Sequence, residues 1–342
     1  MTKRIIARLT ALLLCVPLSL TGCSGGCVAS LSDSPAEAAA TEAAMISTEA
    51  TEAAETTEAA TGITPKMWTV TDPNGNTAYL FGSIHNADAE VLDLPDYFEE
   101  AYQQCDAIAF ETVSTNKTLE AQTYTDGTTI ADHISPSAYN FAKEVLVKNQ
   151  AYSSSLETQL PAQWTVLLYL IRYRNAGYTY SVDSTLMTRA KRDRKELLEL
   201  ESPETHWSYY QTEPVDVQEW ELEQIADETA FSDLSDYTEQ ISKWKSGTLT
   251  YSDEAESSDV PTEAELAAMS EAERRDYQMQ KAYSDWVLDV NGKRNTEMAN
   301  SVLRAMQEGK KLMAVTGIAH FLIDNSILDI LKQSGCTVAA YP

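Results

Sequence analysis

The chain is 342 residues long and carries 52 Asp and Glu against 25 Lys and Arg, a formal charge of -27. That excess of acid argues against nucleic acid as a partner, because phosphate binding needs a basic face, and it repels anionic lipid headgroups as well. The length suits one large domain or two small ones, and five cysteines do not make a disulfide framework.

Lys3, Arg4 and Arg8 open the chain, and an apolar run from Leu9 to Leu20 follows that is too short to span a bilayer. Leu20-Thr21-Gly22-Cys23 then resembles the lipobox of bacterial lipoproteins. The expectation is a signal peptide over residues 1–22 and a lipidated Cys23, which anchors the chain to the extracytoplasmic face of the cell membrane. Residues 23–65 are mostly Ala, Thr, Glu and Ser, and the tract Thr41-Glu42-Ala43-Ala44 recurs at Thr51 and Thr57. With almost no large apolar residues this stretch forms no core and reads as an acidic spacer.

A folded domain over residues 66–342 is expected to be α/β, with a mixed sheet built from two pseudo-symmetric βα halves and helices packed around it. Trp68 to Val70 and Thr77 to Gly82 read as a hairpin about Asp72-Pro73-Asn74-Gly75-Asn76. Pro95 to Gln104 reads as a helix, and Cys105 to Phe110 as a buried strand ending at Glu111. Helices follow at Pro136 to Lys148, Pro161 to Asn175 and Asp183 to Arg194, then a strand from Leu197 to Leu200 ending at Glu201. Residues 212–290 read as an acidic helical insertion, lid or subdomain. Its Trp220, Ile225, Phe231, Leu234, Tyr237, Ile241 and Trp244 share one apolar face, and Thr262 with Glu265 forms a capping box. Asn295 to Gly309 is one more helix, Lys311 to Thr316 a strand, Ile327 to Ser334 a helix closed by Gly335, and Thr337 to Ala340 a last strand.

Two of the four histidines share one local setting. Gly82-Ser83-Ile84-His85 and Gly317-Ile318-Ala319-His320 each follow an apolar strand. Gly82 and Gly317 let the backbone turn off each strand or be approached closely. A single motif of this kind signals little, since a lone histidine is more often a hydrogen-bonded core residue. The matched pair points to one shared site, and two imidazoles with a carboxylate suit Zn, Mn, Co or Fe as divalent ions. Glu111 and Glu201 at strand ends can be ligands, general bases or solvated edge residues. Glu199 alternates with Glu201 and can face the same side. Asp183 can cap its helix or reach the site, and Arg294 can steady an oxyanion or form a surface ion pair. His133, in an expected loop, and His206, beside Trp207 after Pro203, both read as ordinary hydrogen-bonded histidines. Cys105 and Cys336 can pair or stand as two buried thiols, and Cys105 is poorly placed for a reactive thiolate. No phosphate loop, dinucleotide fingerprint or nucleophile elbow is present.

The run from Tyr79 to His85, then Cys105 to Glu111, Pro161 to Trp164, Val182-Asp183, Leu198 to Glu201, Arg294-Asn295 and Ala314 to His320, resembles the TraB/GumN family from Met67 to Pro342. That family is similar to the Tiki proteases, which are metal-dependent, to haem-binding ChaN-like proteins and to erythromycin-esterase-like hydrolases. The resemblance implies that His85, His320 and Glu111 are metal ligands or catalytic groups and that Glu201, Asp183 and Arg294 complete the site. It departs from the family where Phe321 to Asn325 replaces the small residues that follow the second histidine in many relatives. The expected function is a metal-dependent hydrolase acting on a peptide or small molecule. The alternative is a lipoprotein that binds haem, a peptide pheromone or a small ligand without turnover.

Overall fold

The structure is a computed structural model and describes residues 62–113, 122–250 and 261–341. The expected signal peptide, Cys23 and nearly all of the acidic spacer lie outside these residues.

Six strands form one mixed sheet: β1 (Met67–Thr71), β2 (Thr77–Ser83), β3 (Ala107–Phe110), β4 (Glu196–Glu199), β5 (Leu312–Gly317) and β6 (Thr337–Tyr341), in the order β4-β3-β5-β2-β1-β6. β4, β3, β5 and β2 run parallel, and β1 is antiparallel to both β2 and β6. β3 and β5 are buried along their whole lengths, which is why each reads as an unbroken apolar run. The β1–β2 turn closes on Asp72, whose Oδ1 accepts the backbone N–H groups of Asn74 and Asn76 at 2.9 and 2.8 Å. Gly75, at φ +88°, supplies the left-handed residue of that turn.

The helices are α1 (Asp96–Gln104), α2 (Pro136–Lys148), α3 (Pro161–Asn175), α4 (Val182–Arg192), α5 (Pro203–Gln211), α6 (Val215–Ile225), α7 (Glu228–Ser232), α8 (Ser235–Lys245), α9 (Glu263–Ala268), α10 (Glu271–Gln307), α11 (Ala319–Leu322) and α12 (Ile327–Gln333). Proline stands at the first position of α2, α3 and α5, where no backbone donor is lost. Thr262 and Glu265 form the capping box of α9. Phe81, Phe98, Tyr102, Phe110, Trp164 and Trp244 fill the main core around the sheet.

Two expectations change here. α10 is one helix of 37 residues, where the sequence suggested a break between the insertion and a helix starting at Asn295. Gly292 is the weakest helix former between Asp289 and Asn295, no proline interrupts the run, and the pairs Lys281–Asp285 and Lys293–Asp289 bridge successive turns. The limit expected near residue 290 therefore falls inside a continuous helix. The apolar face expected from Trp220 to Trp244 is divided over three helices. Ile225, Tyr237, Ile241 and Trp244 join the main core, and Phe231 and Leu234 pack against it. Trp220 joins Val217, Tyr283, Val287 and Val290 in a separate small core between α6 and the first half of α10.

Candidate functional site

β2 and β5 are neighbours with Ser83 opposite Gly317, so the two Gly-x-x-His motifs leave adjacent parallel strands at their carboxyl ends. The motifs interlock. The Ile318 N–H donates to Ser83 O at 3.0 Å, and a Cβ on Gly82 would lie 2.2 Å from Ile318 Cδ1. Gly82 thus serves close approach, and its φ is not in the left-handed region. The strand exits differ: His320 sits in α11, whereas His85 precedes Asn86, which adopts φ +51° in a loop. α8 covers that loop. Trp244 Nε1 donates to Gly82 O at 2.9 Å, and the Tyr237 hydroxyl donates to His85 O at 2.6 Å.

Glu111 leaves the end of β3 between β4 and β5. Its Oε1 accepts from Thr316 Oγ1 at 2.7 Å and from the Gly317 N–H at 2.8 Å, and its Oε2 accepts from Arg294 Nη2 at 2.9 Å. Arg294, on α10, also binds Glu201: Nη2 donates to Oε1 at 2.5 Å and Nε to Oε2 at 3.0 Å. His206, on α5, places Nδ1 2.8 Å from Glu201 Oε1 and 3.8 Å from Glu111 Oε2. All four side chains are buried. Burial pushes the Glu111 carboxyl up, but Arg294 above all, then His320, His206 and the Gly317 N–H, outweigh it and hold it well below the usual range. Burial likewise raises Glu201, and Arg294 and His206 bring it below its ordinary value.

His320 borders this cluster. Asn295 Nδ2 donates to Asn325 O at 3.0 Å, which turns Asn295 Oδ1 toward His320 Nδ1 at 2.6 Å. A carbonyl oxygen only accepts, so Nδ1 carries the proton and Nε2 presents its lone pair, 3.7 Å from Glu111 Oε1. Burial, helped by the Arg294 charge, lowers the His320 pKa to about 4, so the ring is neutral at neutral pH.

A second cluster adjoins the first. His85 Nδ1 lies 3.2 Å from Ser181 Oγ, and His85 Nε2 lies 3.2 Å from Asp183 Oδ2. Ser83 Oγ donates to Asp183 Oδ1 at 2.8 Å. Burial raises the Asp183 pKa; His85 offsets part of the rise and the Glu111 charge adds to it.

Of the residues singled out in the sequence, Glu111, Glu201, Arg294 and His320 meet in one network, and His85 and Asp183 meet in the other. Asp183 is not a helix cap: Ser181 caps α4 and Asp183 stands at its second position. Arg294 is no surface residue, and its Nε and Nη2 hydrogens are taken by carboxylates. Glu199 accepts from Val113 N at 3.2 Å and Thr112 Oγ1 at 3.3 Å, outside both clusters. Cys105 and Cys336 are free and buried, and burial pushes the Cys105 thiol up to about 12. His133 stacks on Tyr124 and bonds Glu219.

His206 and Asn295 were not read as site residues in the sequence. One signal was present for His206: Ser202 caps a helix directly after Glu201, so a histidine one turn into that helix returns to the carboxylate.

Among the described residues, one group of three ligating side chains has its ligand atoms all within 4.8 Å of one another, namely Glu111, Glu201 and His206. His85, His320 and Glu111, the set expected from the sequence, do not form such a group. The Glu111–Glu201–His206 group can hold a metal ion, although the Arg294 guanidinium is already hydrogen-bonded into it as its cation. His85 Nε2 and Asp183 Oδ2, by contrast, are buried atoms with no hydrogen-bond partner, and no guanidinium contacts them.

Two carboxylates, an arginine and imidazoles gather at the carboxyl ends of the parallel strands of this α/β protein, the edge at which such sheets commonly bind ligands. The chain belongs to the TraB/PrgY/gumN family, whose model matches residues 66–340. Comparison with curated proteins and with solved structures gave no match.

Proposed function

We propose that the chain is a metal-dependent hydrolase of peptides or peptide-like amides, held at the outer face of the cell membrane through lipidated Cys23. The observation that carries the reading is His320: neutral, its proton fixed on Nδ1 by Asn295, its Nε2 turned toward Glu111 Oε1 at 3.7 Å. An oriented neutral imidazole beside an ionised carboxylate suits a divalent cation. His320 and Glu111 would hold the ion; bringing His85 and Asp183, whose side chains are 15 and 14% exposed, onto it needs the two clusters to close, since their ligand atoms do not meet at one point. Such an ion supplies a Lewis acid that polarises a carbonyl and acidifies water.

The chain's own groups do the rest. Thr316 and the Gly317 N–H hold one oxygen of Glu111, and Arg294 keeps Glu111 and Glu201 ionised. His85 and Asp183 face each other at 3.2 Å on the more accessible side of the site. The peptide class is supported by the resemblance of the motif order to the Tiki proteases. No described helix is long and apolar enough to cross a membrane, and the proposed anchor rests on Leu20-Thr21-Gly22-Cys23. Haem has no support at His320, which is 1% exposed and offers no open face to a porphyrin.

The test is metal content by plasma mass spectrometry, with cleavage of a peptide pool followed before and after chelation. A stoichiometric divalent ion is expected in the wild type and lost in His320→Ala, with cleavage abolished by chelation. No bound ion, together with cleavage that survives chelation, overturns the reading. Cys23→Ser should release the chain from membranes, and a variant that stays membrane-bound would remove the anchoring part alone.

A further inference from the structure

We propose that Ser83 and Ser181 are positioning residues that preset His85 Nε2 and Asp183 Oδ2 as a two-atom chelate for a divalent cation. The proposal rests on the metal reading above and adds the residues that build its accessible half.

The two atoms are 3.2 Å apart, yet neither has a hydrogen-bond partner. At 3.2 Å the pair is within hydrogen-bonding reach, so direction rather than distance leaves it without a hydrogen bond. Each ring or carboxylate is instead turned by its other atom. Ser83 Oγ, on a side chain buried at the end of β2, donates to Asp183 Oδ1 at 2.8 Å and leaves Oδ2 over. Ser181 Oγ lies 3.2 Å from His85 Nδ1. If Nδ1–H donates to that hydroxyl, Nε2 is left with its lone pair. Two ligand atoms bound to one zinc ion at about 2.0–2.2 Å lie about 3.3–3.6 Å apart in a tetrahedral arrangement, close to the 3.2 Å found here.

The two serines come from different elements. Ser83 lies inside the first Gly-x-x-His motif, and Ser181 is the N-cap of α4, accepting from the Ser184 N–H at 3.3 Å. Asp183 lies two residues beyond Ser181, so one helix start delivers both the hydroxyl that holds His85 and the carboxylate that faces it. Groups that orient a ligand from outside typically change metal affinity 10–100-fold when removed.

The experiment measures zinc affinity of the full chain by competition with a chromophoric chelator, alongside the cobalt absorption spectrum and the metal-free unfolding midpoint. Ser83→Ala and Ser181→Ala should each weaken zinc binding by about 10–100-fold and alter the cobalt spectrum, as His85→Ala does more strongly. Ser181→Thr keeps both hydroxyl and cap and should restore affinity; it also separates positioning from the loss of a cap. If Ser83→Ala does not fold, the Ser181 pair decides alone. Wild-type zinc affinity in both alanine variants, with His85→Ala still impaired, overturns the role of the serines and leaves the metal reading standing. Wild-type affinity in His85→Ala as well overturns the chelate, and with it the metal reading at this position.

Discussion

The buried charges at the carboxyl edge of the sheet are held by one guanidinium. Arg294 contacts both Glu111 and Glu201, and none of the three is more than 7% exposed. Replacing it by methionine leaves two desolvated carboxylates a hydrogen-bond length from nothing positive. Arg294→Met should destabilise the domain by about 3–5 kcal/mol in urea titration, and a loss under 1 kcal/mol would mean the pair relaxes into water. His320 predicts a pH dependence. Its folded pKa of about 4 lies below the ordinary 6.5, so between those values the unfolded chain takes up a proton that the folded chain refuses. Its contribution is intact above pH 6.5 and is lost as pH falls toward 4, by about 3 kcal/mol in metal-free protein. Glu111 and Glu201, held below 4.5, extend the loss to lower pH, while Asp183, raised, works in the opposite sense. Stability of His320→Asn should fall less steeply between pH 6.5 and 4 than that of the wild type; equal slopes would place the titration elsewhere.

Strand ends and glycines carry the next level. Gly82 lies under Ile318, so a side chain at this position of the first motif requires the Ile318 side chain to shift. Gly82→Ala should destabilise by about 1–3 kcal/mol through overpacking. Ile318→Val removes the Cδ1 that a Cβ at position 82 would meet, and the double variant should recover part of that loss. Strict additivity in the cycle would show that the two motifs do not press on each other. This contact also marks what sequence could reveal. Periodicity located β3, β5, α2 and α3 because apolar runs and helix-start prolines are local signals. Glu111 and Glu201 were legible as strand-end carboxylates for the same reason. The separation of His85 from the Glu111–Arg294–Glu201 network was not, because it depends on how far Ile84 and Ile318 carry each chain from its strand. Asn295 was invisible for a related cause: its role is set by Asn325, thirty residues away, which turns the amide toward His320.

Across the molecule, α10 joins two parts of different character. Its C-terminal half carries Arg294, Asn295, Met298 and Val302 into the main core and the site. Its N-terminal half packs through Tyr283, Val287 and Val290 on Val217 and Trp220 of α6, in a core of five buried side chains. α6 is shared, since its Leu222 and Ile225 belong to the main core. The small core should therefore open without disturbing the sheet, since local unfolding free energies follow the contacts each half makes. Truncating Tyr283 to alanine removes one of the largest of those five side chains, at a typical cost of about 3–5 kcal/mol for a buried aromatic. That is more than such a core can supply alone, so the loss should appear as fraying. In Tyr283→Ala, amides from 271 to 290 should lose hydrogen-exchange protection while those from 295 to 307 keep it. Arg294 would then stay on Glu111 and Glu201, and zinc affinity would be unchanged. Equal loss of protection along all of α10 would instead make the helix one cooperative unit, and any change in the small core would then reach the site through Arg294.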